Sequence, residues 1–454
     1  MKNILGKTAI LFLLIFFNNI LVAAKPDLAA KAEPTIAEWT IVILIQASNN
    51  LDSFAHKNMR EMMKWGSTKK VNILVDLHKA GDKSWRYKIE QGCCVVEKVE
   101  MRRAEGSIAD EVLSTAEWAI TNHPANHYAF IFWNHGYGCI DPQISGSTPA
   151  YLKTLEQGWR APLSQKNDKT EQLTRAWRNS IPIDRSILFD DERHIYLSNQ
   201  GLRETLKTIS TRFLKGKKID LIGMDACLMG MIEIAAEIEP YAEYFVASEE
   251  FEFAHGWPYG ALIEKLTTQA VTSKELGTHI VQAYEAYYLN RTSYFTQSCV
   301  DLSKINALKE NVTLLAELLL AAQKEDPIRM KLFIQQARCQ TLSFSLSDYV
   351  DFHSFYQELL KVTQYAVNNP QNKTISIPRI NPTILKTIEK ILIQGMTLLK
   401  EAVVANTAGR YLARASGLSL YFPQKNLDKS YALTTFAQTV PHWPNFVQQH
   451  ILDR

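Results

Sequence analysis

Four short apolar runs limit what this chain can fold into. They are Trp39–Gln46 (WTIVILIQ), Val71–His78 (VNILVDLH), Tyr128–Trp133 (YAFIFW) and Lys218–Met224 (KIDLIGM). Runs of this length, apolar at successive positions and rich in Ile, Val and Phe, read as strands buried on both faces. Helical stretches separate them. One runs from about Asp52 to Lys64 and is ended by Gly66; one follows Ser107 to about Thr121; one follows Ser198 to about Leu214. A fourth helix, Leu228–Ile238, comes after the last run, and Tyr244–Ser248 reads as a further strand. Residues 85–99 alternate around Gln91-Gly92, the signature of a hairpin. Strand alternating with helix predicts an α/β fold with a doubly wound, mostly parallel sheet. Such sheets place their sites in the crevice at the carboxyl ends of the strands.

The rest of the chain divides around this unit. Residues 1–24 carry Lys2 and Lys7, then an apolar stretch ending at Val22-Ala23-Ala24, the layout of a secretory signal peptide cleaved after Ala24. The mature protein is then expected to be exported, periplasmic or secreted, with no membrane anchor. Residues 25–36 read as a flexible lead-in and 37–262 as the sheet domain. Within that domain, 139–186 is a long polar insertion without periodicity, expected to be functional or disordered. Residues 263–454 are mainly helical, with stretches at 272–289, 303–323, 349–367 and 382–404, then a short apolar run, Gly417–Phe422, ended by Pro423.

Composition removes several classes. The formal charge is +3, and without Lys2 and Lys7 it would be +1, so nothing electrostatic points to nucleic acid. Six cysteines in 454 residues are too few for a disulfide framework. None forms a CxxC pair, which argues against a cysteine zinc site. His123 and His127 have zinc-like spacing, but Pro124 breaks the helix that spacing needs. Cys93-Cys94 in the hairpin fits two buried thiols better than a strained vicinal disulfide.

Two segments carry chemistry. Asn134-His135-Gly136 directly follows YAFIFW, and Asp225-Ala226-Cys227-Leu228-Met229-Gly230 directly follows KIDLIGM. If the two strands are neighbours, His135 and Cys227 face one crevice. Cys227 would stand at the start of the 228–238 helix, where the dipole and free N–H groups favour a thiolate. An imidazole beside it can take the thiol proton and later protonate a leaving amine. A bland alternative stands for each: a core cysteine and a turn histidine.

These segments resemble the clostripain family of cysteine peptidases, which have the caspase-like αβα sandwich. Asn49-Asn50-Leu51, the NHG at 134–136 and the DACLMG at 225–230 support this, as does Ser248-Glu249-Glu250 leading to Gly256-Trp257-Pro258-Tyr259. Asp348-Tyr349-Val350-Asp351 and Gly417–Pro423 (GLSLYFP) follow in the family's order. The resemblance implies an exported cysteine endopeptidase working through a thioester acyl-enzyme. Cys227 would be the nucleophile and His135 the general acid and base. The N–H groups of Gly136 and Cys227 would form the oxyanion hole. Asp225 would be an acid in a pocket that selects Arg or Lys before the scissile bond, although a helix N-cap is its other reading. Glu250 and Trp257 are further candidates for substrate binding, and Phe251, Phe253 and Trp257 either line a groove or are core aromatics.

One departure bears on selectivity. Family members often carry an acid just before the Gly-Trp pair, where this chain has His255; Glu249, Glu250 or Glu252 could compensate. The insertion offers Arg160, Lys166, Lys169, Arg175, Arg178 and Arg185 for self-cleavage into two chains that stay associated, as in relatives. No cofactor is required for the chemistry. Asp190-Asp191-Glu192 is a weak candidate for the calcium that clostripain needs, against a solvated acidic turn. The expected partner is a peptide or protein substrate. A non-catalytic peptide-binding relative and a transamidase on the same fold are the alternatives.

Overall fold

The structure is a computed structural model that describes residues 22–24, 36–102, 105–141, 187–368 and 380–452. The leader before Val22, the lead-in to residue 35 and insertion residues 142–186, with the six basic residues named above, lie outside the described residues.

All four apolar runs form strands of one ten-stranded sheet. The strands are β1 (Val22–Ala24), β2 (Ala37–Gln46), β3 (Val71–His78), β4 (Lys83–Glu90), β5 (Cys93–Met101), β6 (Ala125–Trp133), β9 (Ile219–Asp225), β10 (Ala242–Ala247), β11 (Thr296–Asp301) and β13 (Val403–Ala408). Two short pairs stand outside it: β7 (Ile187–Asp190) with β8 (Ile195–Leu197), and β12 (Tyr349–Asp351) with β14 (Ser419–Tyr421). The order across the sheet is β1-β5-β4-β3-β2-β6-β9-β10-β11-β13. The middle five, β3-β2-β6-β9-β10, pair parallel, and the flanks on β3 and β10 are antiparallel. β4 and β5 are the hairpin expected around Gly92, which supplies a φ of +83° at the turn. Val22–Ala24, assigned to the leader from sequence, pair parallel with Cys94–Val96 at the edge.

Burial explains why the central strands read as unbroken apolar runs. Side chains alternate between faces, and both faces are covered. Ile41, Ile43 and Ile45 join Ile131, Trp133 and Leu221 in one core; Val42 and Leu44 join Phe130, Phe132, Ile222 and Met224 in the other. Helices Asp52–Met62, Tyr259–Thr268 and Ser273–Tyr288 bury residues in the first core. The second takes Ile108–Asn122, Asn199–Thr208 and Ile232–Ile238, and then the helices of the C-terminal region. That region is not confined to helices: β11 and β13, both beyond residue 262, are hydrogen-bonded members of the sheet.

Two expectations change. Residues 349–351, read as the start of a helix, form β12, and the helix begins at Phe352. β12 pairs antiparallel with β14, which comes from the GLSLYFP run, so Tyr349 lies opposite Tyr421. The 228–238 helix begins only at Ile232.

The calcium candidate is also corrected. Asp190 is fully buried and its carboxylate is ion-paired with Arg102 and Arg193. It also accepts the N–H groups of Glu192 and Arg193. Glu192 is turned to the N–H of Gly81 at 2.7 Å. A carboxylate saturated by two guanidinium groups has no lone pair to offer a cation, and the three acids do not converge. Among the described residues, no group of three or more His, Cys, Asp or Glu could hold a metal ion. Arg102→Met, which strips one partner from the buried Asp190, should cost about 3 kcal/mol. This would be read as a lower urea midpoint at an unchanged m-value.

Candidate active site

Parallel pairing of β6 with β9 puts Trp133 opposite Asp225. His135 and Cys227 each lie two residues beyond that pair, so both leave the sheet at the same height in the crevice. The connection continues past the strands, since the N–H of Asn134 donates to the carbonyl of Asp225 at 3.3 Å. Both groups are largely shielded, His135 at 4% and Cys227 at 5% exposure. Gly136 is where the two turns touch. A Cβ there would sit 2.4 Å from the carbonyl oxygen of Cys227, so only glycine fits.

His135 is held from the next strand. Its Nε2 is 2.8 Å from Oδ1 of Asn50, just past the end of β2. An amide oxygen accepts, so Nε2 carries the hydrogen and Nδ1 is the basic nitrogen. Asn134 anchors the same turn by donating to the carbonyls of Gln46 and Phe189. Asn50 was visible in sequence only as part of a motif string; nothing in residue type alone assigns it to the imidazole.

The turn at Cys227 is strained. Leu228 has φ +63°, rare for a bulky side chain and found where surrounding structure imposes it. Two hydrogen bonds do so: Leu228 N–H to Glu250 O at 3.1 Å and Gly230 N–H to Ser248 O at 2.7 Å. This turn delays the helix to Ile232, with Met231 at its N-cap. Cys227 is therefore not at a helix N-terminus, and neither is Asp225 its cap. The dipole argument for a thiolate fails. Burial pushes the thiol well up, against one hydrogen bond from the backbone of Glu252, and Glu252, Glu250 and Asp225 add negative charge. The sulfur lies 3.3 Å from the N–H of Glu252 and 3.7 Å from its carbonyl.

Beside the thiol is a cluster of buried acids. Asp225 accepts the N–H of Trp257 at 3.1 Å and the hydroxyl of Tyr259 at 2.9 Å. Gly256 lies against it, since a Cβ there would meet Asp225 Oδ2 at 2.7 Å. The Glu252 carboxyl lies close enough to that of Asp225 for each to act on the other's charge. It also accepts from Gln297 Nε2 at 3.2 Å, with the Trp257 indole at 3.5 Å. Two touching carboxyls in a dry site share a proton. Burial pushes Asp225 up to about 6, and burial with the Asp225 charge pushes Glu252 well up. Glu252 Oε2, Gln297 Oε1 and the Tyr284 hydroxyl are buried without a hydrogen-bond partner among the described residues.

The other candidates sort themselves. The carboxylate of Glu250 is occupied by the N–H groups of Phe251 and Ser345, so it anchors loops. Trp257 is buried against Gly223 of β9, at the base of the acid pair. Phe253 stacks on Tyr288 with ring centres 5.2 Å apart, and Phe251 packs against the core. His255 faces Phe54, and burial, then Lys57 and Arg291, lowers its pKa, so it adds no positive charge. His123 and His127 pair with different carboxylates, Glu97 and Asp220. Cys93 and Cys94 are free thiols, Cys93 half-buried.

The C-terminal motifs meet this site. Ser419 N–H donates to Gly230 O at 2.8 Å, and Tyr349 Oη to Tyr137 O at 2.7 Å. Gly417 N–H donates to Glu249 at 2.8 Å.

A cysteine and a histidine at the ends of adjacent parallel strands, on a sheet covered by helices, define the class of α/β cysteine hydrolases. The sequence model of the clostripain family matches residues 43–150 and 175–448, and the chain belongs to that family of cysteine peptidases. Clostripain of Hathewaya histolytica is 22% identical over 293 residues, covering 58% of this chain; the chain spans about half the length of that relative, 53%. A secreted C11 cysteine protease of Bacteroides thetaiotaomicron, iotapain, superposes with a TM-score of 0.59 at 15% identity, over 90% of this chain and 100% of that one. An inactive zymogen C11 protease of Parabacteroides distasonis superposes at 0.58 and 16% identity, over 90% and 99%. These likenesses establish the caspase-like fold of the sheet and its helices.

Gly136→Ala should lower kcat by about 100-fold or more, since the added Cβ would push the 136 turn away from the carbonyl of Cys227. Steady-state kinetics beside circular dichroism would check it.

Proposed function

We propose that the chain is an exported cysteine endopeptidase that cleaves after Arg or Lys. The observation that carries this reading is the Asp225–Glu252 carboxyl pair buried beside Cys227 at the crevice. A guanidinium brings five N–H donors and no acceptor. It matches a buried cluster in which Glu252 Oε2 and Gln297 Oε1 have no hydrogen-bond partner among the described residues. Glu252 supplies the second acid that His255 does not.

His135 Nδ1 takes the thiol proton as Cys227 Sγ attacks the carbonyl carbon. Asn50 holds the ring in the tautomer that allows this. The carbonyl oxygen becomes an oxyanion facing the N–H groups of Gly136 and Cys227. As the C–N bond breaks, His135 returns the proton to the leaving amine, leaving a thioester. Water, deprotonated by His135, then releases the acid and regenerates the thiol. No cofactor enters these steps. Export follows from the lysine-led apolar leader, and the Bacteroides relative is itself described as secreted.

The direct test is wild type beside Cys227→Ala on a fluorogenic peptide library varied at the residue before the cut. Cleavage after Arg and Lys, absent in the mutant, is expected. Cysteine-dependent cleavage after other residues would remove the pocket assignment, and activity in the mutant would remove the mechanism.

The acid pair also sets a pH dependence. Ionisation as pH rises through about 6 adds negative charge to the pocket. KM for an Arg peptide should therefore fall between pH 5 and 7. Asp225→Asn should flatten that slope and cost about 10- to 100-fold in kcat/KM for basic substrates.

A further inference from the structure

A second buried carboxyl pair lies outside the pocket. Glu249, in the loop after β10, lies beside Asp351, at the end of β12: the consecutive N–H groups of Gly417 and Ser416 donate to them. Both are fully buried. The donors around them assign the proton. Asp351 accepts three: Ser354 N–H at 2.5 Å on Oδ1, and Ser416 N–H at 2.6 Å and Oγ–H at 2.7 Å on Oδ2. Glu249 accepts one, Gly417 N–H at 2.8 Å on Oε2, and its Oε1 has no N–H or O–H donor among the described residues. Asp351 is thus built as the carboxylate and Glu249 as the acid that donates to it.

The position of Glu249 matters more than its burial. Ser248 and Glu250 on either side accept the two hydrogen bonds that hold the strained Leu228 turn. Glu252, three residues on, contacts the sulfur of Cys227 through its backbone. Gly230 leaves no slack, since a Cβ there would meet Glu249 N at 2.9 Å. The partner, Asp351, belongs to the β12–β14 pair, and Ser419 of β14 bonds Gly230 from the other side. Nucleophile turn, 248–252 loop and C-terminal strands therefore form one closed ring.

We infer that Glu249 and Asp351 are positioning residues for Cys227: one proton shared between their carboxyls clamps the 248–252 loop to β12 and so holds the nucleophile turn in its strained form. Loss of that proton leaves two buried carboxylates in contact, and the clamp opens. The charged groups that act on Glu249 are Asp351 across from it and Glu250 beside it, both acidic. Arg414, on the stretch that leads to Gly417, is bonded to Ser354, Glu358 and Gln340. Burial, then the Asp351 charge, holds the Glu249 carboxyl well above its ordinary range.

Linkage sets the sign. Above the unfolded value, about 4.3 for Glu, the folded protein keeps a proton that the unfolded chain has lost. Stability from this pair is therefore present at low pH and declines as pH rises through the folded value. Glutamine at 249 can accept from Gly417 and donate to Asp351 without titrating.

The positioning role rests on Cys227 being the nucleophile; the shared proton does not, and the experiment separates them. Thermal midpoints are measured from pH 5 to 9 for Cys227→Ala with and without Glu249→Gln. The Gln form should gain on its parent as pH rises, by roughly 3 °C at pH 9 relative to pH 5. A pH-independent difference would overturn the shared proton whatever the enzyme's activity. In the Cys227 protein, Glu249→Gln should keep kcat within about twofold at neutral pH. It should also extend activity to higher pH. Glu249→Ala should lose about tenfold or more in kcat. Equal loss in Gln and Ala, or none in Ala, would overturn the positioning role. Should the Ala form not fold, the Gln pH profile decides: an alkaline limb identical to wild type counts against it.

Discussion

The site depends on the parallel register between β6 and β9. Hydrogen bonding fixes Trp133 opposite Asp225, and neighbouring strands lie about 4.8 Å apart. Two residues more on each strand bring an imidazole and a thiol into one crevice. A register slip of one residue would turn every side chain on a strand to the other face. The two apolar cores prevent that slip, because Phe130 and Phe132 belong to one and Ile131 and Trp133 to the other. The packing that makes the sheet stable is thus the same packing that aligns the site.

The turn beyond β9 is less relaxed than the strand. Leu228 is forced to a positive φ, and strain of this kind persists only where the surroundings over-determine it. Here they do so from a distance: Ser248 and Glu250 on one side, and Ser419 of the C-terminal region on the other. The second half of the chain completes the sheet through β11 and β13 and props the Cys227 turn through β12 and β14. It is a structural part of the site.

Two pairs of touching carboxyls flank that turn, Asp225 with Glu252 and Glu249 with Asp351. Each avoids the cost of two buried charges by keeping a proton. Their surroundings differ. The Glu249–Asp351 pair is enclosed by backbone donors and suits a fixed strut. The Asp225–Glu252 pair has two polar groups beside it, Gln297 Oε1 and the Tyr284 hydroxyl, with no partner among the described residues.

Periodicity alone determined the α/β class, the central strands, the 85–99 hairpin and the placing of His135 and Cys227 at strand ends, because burial on both faces leaves a local signature in sequence. Tertiary structure decided the rest. The helix after Cys227 starts late because Leu228 is bound to Glu250, a contact between residues that are distant in sequence. Tyr349–Asp351 became a strand because β14 was there to pair with it. Asp190 became an arginine partner because folding carried Arg102 to it. Asn50 and Glu252 acquired their places through contacts that cross the sheet. Such contacts depend on which elements become neighbours, and no local pattern of residues encodes that.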